Sequence, residues 1–306
     1  MTNSMDLFYK IYMATKVLLK GFPSQGVGAI DATNQCNLRC KHCYYYTNEP
    51  DGQLSINQWI EKFEALKRNG FPFLQCTWTG GEPLLRKELI EIGKEYFRSN
   101  TVTTNGTIDL PEWPKVNFYV SIDGTEEYHE DLRGQKGIYK LIKKNVDRSD
   151  LKVTLACVIT KRNYHCLEEL VEEWSKTNVR GIIFDFYTPM QGIEDDLWLD
   201  FEIRDKVIDR LIKLKKKYPD FFLLSENILR LMKSKTCHTI TQNCLYPKAA
   251  FCFDALGNTK KPCMLGPGAD CSRCGCVVPF YLVAMRDKRF FLSMKLKALR
   301  EKILHR

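Results

Sequence analysis

Six runs of strand-type residues, separated by charged helical stretches, predict an α/β fold built on a parallel sheet. The alternation covers only the first part of the chain. Around Ser225 it stops, and seven cysteines with Pro and Gly between them fall within Cys237 to Cys276. A length of 306 residues allows one large domain with a small appended module.

The elements follow in order. Gly28 to Ala32 is the first strand, leading into a cysteine loop and the helical Asn57 to Asn69. Phe73 to Thr79 reads as the second strand and Arg86 to Phe97 as the next helix. Thr101 to Thr104 and Phe118 to Ile122 are short strands, and Gly137 to Asp147 is helical. Lys152 to Ile159 is rich in β-branched residues, and Cys166 to Lys176 returns to helix. Gly181 to Tyr187 is the sixth strand, followed by a long Lys- and Arg-rich helix from Leu199 to Tyr218. Right-handed crossovers would wrap such units into an open sheet or a barrel, and either layout gathers ligands at the carboxyl ends of the strands. The expected divisions are an N-terminal helical segment over 1–27, the α/β unit over 28–225, a cysteine-rich module over 226–279 and a basic helix over 280–306.

Composition is that of a folded globular chain, with 44% hydrophobic and 27% charged residues and a net charge of +9. The unusual number is 13 cysteines, an odd count that is too sparse for a small disulfide scaffold. No signal peptide and no spanning segment is expected, because Asp6 and Lys10 interrupt the first apolar stretch. The cysteines are therefore expected to work as metal ligands or reactive thiols in a reducing cytoplasm.

Cys36, Cys40 and Cys43 form a C-x3-C-x2-C motif directly after the first strand. Soft thiolates suit iron–sulfur ligation, and three of them on a four-iron cluster leave one iron without a protein ligand. A zinc knuckle or three unrelated buried thiols are the alternatives, with His42 inside the motif as a further zinc ligand. Further on, Thr79-Gly80-Gly81-Glu82-Pro83-Leu84 closes the second strand. Its glycines let backbone approach closely, and Glu82 offers charge to an ammonium group; equally, they make a turn opening a helix with a first-turn acid.

The stretch Asn34-Gln35-Cys36-Asn37-Leu38-Arg39-Cys40-Lys41-His42-Cys43-Tyr44 resembles the CxxxCxφC signature of the radical S-adenosylmethionine (SAM) superfamily, with His42 at the φ position. The Gly80-Gly81-Glu82-Pro83 stretch is similar to that family's GGEP motif and lies in the matching order and strand position. The resemblance implies a partial (β/α)6 TIM-like barrel and a [4Fe–4S] cluster on Cys36, Cys40 and Cys43. SAM would chelate the open iron and be cleaved reductively to a 5′-deoxyadenosyl radical that abstracts hydrogen from substrate. It also implies SAM contacts from Gly80, Gly81, Glu82 and later strand ends: Asn105, Ser121 and Asp123, with Tyr187 packing the adenine. Turn chemistry accounts for Asn105-Gly106 and Asp123-Gly124 just as well. Asn163 is a loop residue.

The second cluster reads Cys244-x7-Cys252-x10-Cys263-x7-Cys271-x2-Cys274-x-Cys276, a metal-binding pattern that suits zinc or iron–sulfur alike. It resembles the SPASM/Twitch extensions of radical SAM proteins, which implies an auxiliary [4Fe–4S] cluster on Cys244, Cys263, Cys271 and Cys274, with Cys252 or Cys276 as substitutes. Phe251 to Cys263 reads as that module's hairpin, turning at Gly257-Asn258. The spacing from Gly257 to Cys263 is one residue longer than the common pattern, and cysteines for a full two-cluster module are lacking, so a single-cluster, Twitch-like form is expected. The Lys261-to-Leu265 stretch with Cys271-x2-Cys274 also resembles the tail of the adenosylhopane synthase branch.

Cys76, Cys157, Cys166 and Cys237 have no expected role beyond small buried hydrophobes. The basic runs, such as Lys213 to Lys217, are read as a solvated helix face that could steer an acidic flavodoxin or ferredoxin electron donor. No motif points to nucleic acid. The amphipathic stretch from Leu7 to Leu19 fits core packing, with peripheral membrane contact as the second option. Together these readings imply an enzyme that abstracts hydrogen from a peptide or small molecule, with the auxiliary cluster assisting oxidation or holding substrate. The alternatives are radical addition to a lipid or isoprenoid, or a non-catalytic cluster-holding sensor.

Overall fold

The computed structural model describes residues 26–45, 52–148 and 150–286. The expected N-terminal helix and most of the basic C-terminal helix lie outside the described residues.

Seven parallel strands form one sheet in the order β6-β5-β4-β3-β2-β1-β7. They are β1 (Val27–Thr33), β2 (Gln75–Gly80), β3 (Ser99–Thr104), β4 (Val116–Ser121), β5 (Lys152–Ile159), β6 (Ile182–Phe186) and β7 (Phe251–Phe253). Each crossover from β1 to β6 joins sequence neighbours, and the sheet stays open, as a partial barrel does.

The intervening helices are α1 (Ile56–Arg68), α2 (Lys87–Tyr96), α3 (Glu126–Arg133), α4 (Ile138–Val146) and α5 (Leu167–Trp174). After β6 come α6 (Phe201–Lys217), α7 (Glu226–Leu231), α8 (Ser234–Gln242), α9 (Tyr246–Ala249) and α10 (Val278–Ala284). Three of these helices start at a capping side chain. Ser55 accepts from the Gln58 amide at 3.3 Å while the Gln58 side chain accepts from the Ser55 amide at 2.8 Å, a capping box that opens α1. Asp200 and Ser225 cap α6 and α7 from one side only, accepting from the Ile203 and Ile228 amides.

One face of the sheet packs on these helices. Ile30, Trp78, Val102, Phe118, Val120, Leu155 and Phe184 are all fully buried there, joined by Trp59 and Phe63 of α1. Burying each such side chain contributes about 1.5–3 kcal/mol. The other face alternates out of phase: β4 reads buried, half-buried, buried, and β6 does the same. That half-exposed face lines the lumen. Register puts Asp31 beside Thr79, and Thr103 beside Tyr119 and then Thr154, so a polar row crosses it.

The stretch from Cys237 to Cys276, whose sequence shows little helical pattern, nonetheless holds the end of α8 and all of α9. The expected hairpin does form, with the Gly257 amide donating to Asp254 O at 2.9 Å and Lys260 N to Cys252 O at 2.9 Å. Its first strand, however, also extends the barrel sheet as β7, pairing Phe251, Cys252 and Phe253 with Gly28, Ala29 and Ile30.

Candidate functional site

The carboxyl ends of β1 to β4 bring the first motif and its partners to one edge. The cysteine loop leaves β1 at Thr33 and is held by backbone. Gly81 N donates to Thr33 O at 2.9 Å and Glu82 N to Gln35 O at 2.7 Å. Gly80 has φ +113°, and a Cβ on Gly81 would stand 2.1 Å from the Gln35 carbonyl oxygen. The two glycines therefore admit the cysteine loop itself, a tighter demand than a simple turn makes.

Glu82 is fully buried, and its carboxylate accepts from Leu84 N at 3.0 Å, Thr104 Oγ1 at 2.7 Å and Asn105 N at 2.8 Å. Burial pushes its pKa up while these donors pull it back. Asn105 carries the connection into the loop, donating to Asn37 Oδ1 at 2.8 Å, while Asn37 donates to Thr107 Oγ1 at 2.8 Å. Leu38, 2% exposed, anchors the loop in the core. Cys36, Cys40 and Cys43 are all half-buried cysteines. Among the described residues no three His, Cys, Asp or Glu side chains converge closely enough to hold a single metal ion.

Asp123, two residues past β4, has no exposed surface and is held from four directions. Arg133 donates to its Oδ2 through Nε at 2.7 Å and Nη2 at 2.6 Å, His42 Nε2 lies 3.2 Å away, and Oδ1 accepts from Val158 N at 2.9 Å. Burial works against its ionisation, but Arg133 and His42 outweigh that and hold its pKa well below the usual carboxylate range. Asp123 N donates to His129 Nδ1 at 3.0 Å, and burial drives the His129 pKa down to about 3, so that imidazole is neutral. Arg133 Nη1 reaches Cys40 Sγ at 3.8 Å, placing a buried positive charge beside the motif's middle thiol.

Ser121 closes β4 on the lumen side, half-buried. Tyr187, just past β6, donates its hydroxyl to Asp195 Oδ2 at 2.8 Å and lies near enough to Cys43 to sense its charge. Asn163 is a buried structural residue, donating to Asp123 O at 3.0 Å and Val158 O at 2.8 Å. Gly80, Gly81, Glu82, Asn105 and Asp123 thus share one hydrogen-bonded frame with the cysteine loop. Tyr187 joins it through proximity, and Ser121 through its strand.

In the second cysteine set, Cys244 feels Cys271, Cys263 feels Cys274, Cys252 and Cys271, and Cys274 feels Cys244, so the four expected ligands and Cys252 share one electrostatic neighbourhood. Burial pushes the Cys263 thiol up to about 12 and Cys274 to about 11. Cys276 neighbours Cys274 and Cys263, and Cys252, which also neighbours Cys263, has its sulfur 3.3 Å from the Tyr246 hydroxyl. Cys76 and Cys157 lie fully buried in strands and Cys166 is 2% exposed, as small core residues.

Three functional candidates escaped the sequence. Arg133 is one. Lys260, from the hairpin, forms a buried ion pair with Asp31 of β1, and its ammonium lies 5.9 and 5.7 Å from the rings of Tyr44 and Tyr45. Burial raises the Asp31 pKa to about 6 despite that lysine. Arg204, on α6, is 1% exposed and donates from Nη1 to Cys274 O at 2.9 Å. Each pairs with a residue far away along the chain, so no local spacing announces it.

Comparisons with known proteins agree with this geometry. Residues 30–174 match the family model described as Radical SAM superfamily. The chain is similar to the sporulation killing factor maturation protein SkfB of Bacillus subtilis (strain 168), 32% identical over 209 residues, covering 62% of this chain and 50% of that protein. It is also similar to the serine-type anaerobic sulfatase-maturating enzyme of Bacteroides thetaiotaomicron, 35% identical over 135 residues, covering 36% of this chain and 31% of that one. The chain thus spans half the length of the first curated relative and under a third of the second. In fold it resembles Streptococcus suis SuiB bound to S-adenosylmethionine, with a TM-score of 0.63 at 15% identity over 94% of this chain and 72% of that one. Residues 30–174 of this chain are a radical SAM domain.

Proposed function

We propose that this chain is an enzyme that modifies a peptide by hydrogen abstraction, using a [4Fe–4S] cluster on Cys36, Cys40 and Cys43 and SAM on its open iron. The observation that carries the reading is the frame just described: three cysteines on a loop pinned by Gly81, Glu82 and Asn105 at the carboxyl edge of a parallel partial barrel.

The donor set fits the group. A four-iron cluster takes one thiolate per iron, so its ligands need not converge on a point. His42 Nδ1 is buried without a hydrogen-bond partner inside the motif, a polar atom that a bound group can satisfy. When bound, SAM and the reduced cluster would supply a carbon-centred radical able to take a hydrogen atom. The chain's own residues hold the loop, neutralise it and enclose it. Gly80 and Gly81 let the loop close on β2, Arg133 offsets thiolate charge at Cys40, and Asp123 fixes Arg133. The residues expected to touch SAM remain Gly80, Gly81, Glu82, Asn105, Ser121, Asp123 and Tyr187. Glu82 and Asp123, closed off from solvent, serve chiefly by positioning the loop and Arg133.

The polar lumen row, with the Thr79, Thr103, Tyr119 and Thr154 hydroxyls beside Asp31, favours a hydrogen-bonding substrate over a lipid or isoprenoid. The relatives' names, maturation protein and sulfatase-maturating enzyme, point the same way. A second [4Fe–4S] cluster on Cys244, Cys263, Cys271 and Cys274 would accept an electron or seat the substrate. A net charge of +9 supports an acidic flavodoxin or ferredoxin as electron donor. Among the described residues no helix is long and apolar enough to cross a membrane.

Iron and sulfide analysis of anaerobically reconstituted protein tests the two-cluster reading. It predicts about eight irons and eight sulfides per chain. Four would remove the second cluster, and zinc would make the tail structural.

A further inference from the structure

Arg204 lies in the first turn of α6 with only 1% of its surface exposed. Its guanidinium is packed between aromatic rings, 4.6 Å from the Phe186 centroid and 5.8 Å from Phe201. Nη1 donates to Cys274 O, and apart from a side-chain contact with the Cys237 thiol the buried Nε and Nη2 have no hydrogen-bond acceptor. No carboxylate stands within ion-pair distance of it among the described residues. Asp205, its neighbour in sequence, gives Oδ1 to Ser234 N at 2.8 Å and Oδ2 to Ser234 Oγ at 2.6 Å. Asp185, the other acid whose charge reaches it, accepts from Val277 N at 2.6 Å.

A buried cation without a counter-ion is among the most costly features a fold can carry, so something anionic belongs beside it. What surrounds Arg204 in place of a carboxylate is sulfur. The Cys237 and Cys274 thiols are the neighbours whose charge acts on it most strongly, and Cys237 Sγ itself lies 4.0 Å from the Cys274 carbonyl that Arg204 binds. We propose that Arg204 is the buried counter-cation of the second cluster, a positioning residue that offers Nε and Nη2 to the sulfur at the Cys274 corner and raises that cluster's reduction potential. The proposal rests on the two-cluster reading above.

The direction follows from charge. A cluster on four thiolates is anionic, and reduction adds one more negative charge. A fixed positive charge in a dry, aromatic-walled site stabilises the more negative state and so favours reduction. Arg204 thereby suits the second cluster to accept an electron from a substrate-derived radical. Lysine would keep the charge but not the planar fork, and methionine would keep the packing without the charge.

The test compares wild type, Arg204→Lys and Arg204→Met after anaerobic reconstitution, by iron and sulfide content and by redox titration monitored by electron paramagnetic resonance. The account expects Arg204→Met to retain about eight irons and to shift the second couple toward the oxidised form by about tenfold or more, about 59 mV for a one-electron couple. Arg204→Lys should recover most of that shift, and the first couple should stay within about threefold in both variants. Full loading with the second couple unmoved in Arg204→Met overturns the proposal. So does a shift as large in Arg204→Lys as in Arg204→Met. If Arg204→Met fails to hold the second cluster, Arg204→Lys decides: retention of iron and potential supports the charge role, and loss refutes it. A wild-type protein with only four irons would defeat the two-cluster reading itself, a result distinct from an unmoved potential at full loading.

Discussion

Replacing Asp123 by asparagine should cost the fold about 3–5 kcal/mol, because it breaks a buried ion pair and leaves Arg133 without its counter-charge. The cost can be read from the donors around the carboxylate. Arg133 Nε and Nη2, His42 Nε2 and Val158 N all point at it, at 2.7, 2.6, 3.2 and 2.9 Å. Every one of these nitrogens faces the carboxylate as a donor. An amide offers one acceptor oxygen and one NH2 group, so in either orientation its own N–H groups face other donors. Against a total stability of about 5–15 kcal/mol, the loss is large. At about 2–4 °C per kcal/mol it lowers Tm on the order of 10 °C. Thermal unfolding of the iron-free chain followed by far-ultraviolet dichroism measures it, with Arg133→Met and the double variant completing a coupling cycle. Asp123 has its pKa depressed in the fold, so its contribution is complete above the unfolded carboxylate value of 3.8 and fades only as pH falls through that value toward the folded one. The measured loss should therefore be the same at pH 6 and pH 8. A loss below about 1 kcal/mol, or simple additivity with Arg133→Met, would refute the argument that this pair holds the site.

Gly81→Ala places a methyl group 2.1 Å from the Gln35 carbonyl oxygen, so the cysteine loop must move; iron bound at the first site should fall by more than half, while secondary structure by dichroism stays unchanged. Asp185→Asn should stabilise the protein at high pH. Burial raises the Asp185 pKa to about 6, so its ionised form is disfavoured in the fold; that handicap is absent below the unfolded value near 3.8 and complete as pH rises through 6. Asparagine still accepts from Val277 N, so Tm should rise at pH 8 and change little at pH 4.5, and an equal rise at both would contradict the assignment. Cys271→Ala should remove about four irons and spare at least part of SAM cleavage, whereas Cys40→Ala should abolish cleavage; iron assay and product chromatography on the two variants separate these outcomes.

Much of the fold is legible in the sequence where periodicity is strong. Lys152 to Ile159 is read to the residue, since β-branched and apolar positions run unbroken between polar ends. Helix α3 is lost in Glu126-Glu127-Tyr128-His129-Glu130-Asp131-Leu132-Arg133, where one aliphatic residue leaves no stripe to detect; tertiary contacts bury His129, Leu132 and Arg133 instead. Helix α8 is hidden by Thr236, Thr239, Ile240 and Thr241, whose β-branching argues against helix. Three-residue β7 is too short to distinguish a hairpin arm from a barrel strand. At the site, the contiguous motifs around Cys36 and Gly80 are visible because their chemistry is local. Lys260 lies 229 positions from its partner Asp31 and Arg133 lies 93 from Cys40, so only folding reveals them.

The most direct measurement of the central claim is 5′-deoxyadenosine released when reconstituted, dithionite-reduced protein meets SAM without oxygen. The account predicts release by wild type, rising with a peptide substrate, and none from the variant with Cys36, Cys40 and Cys43 all changed to alanine. Wild type that releases none with any candidate peptide, or a triple variant that releases as much as wild type, would contradict it.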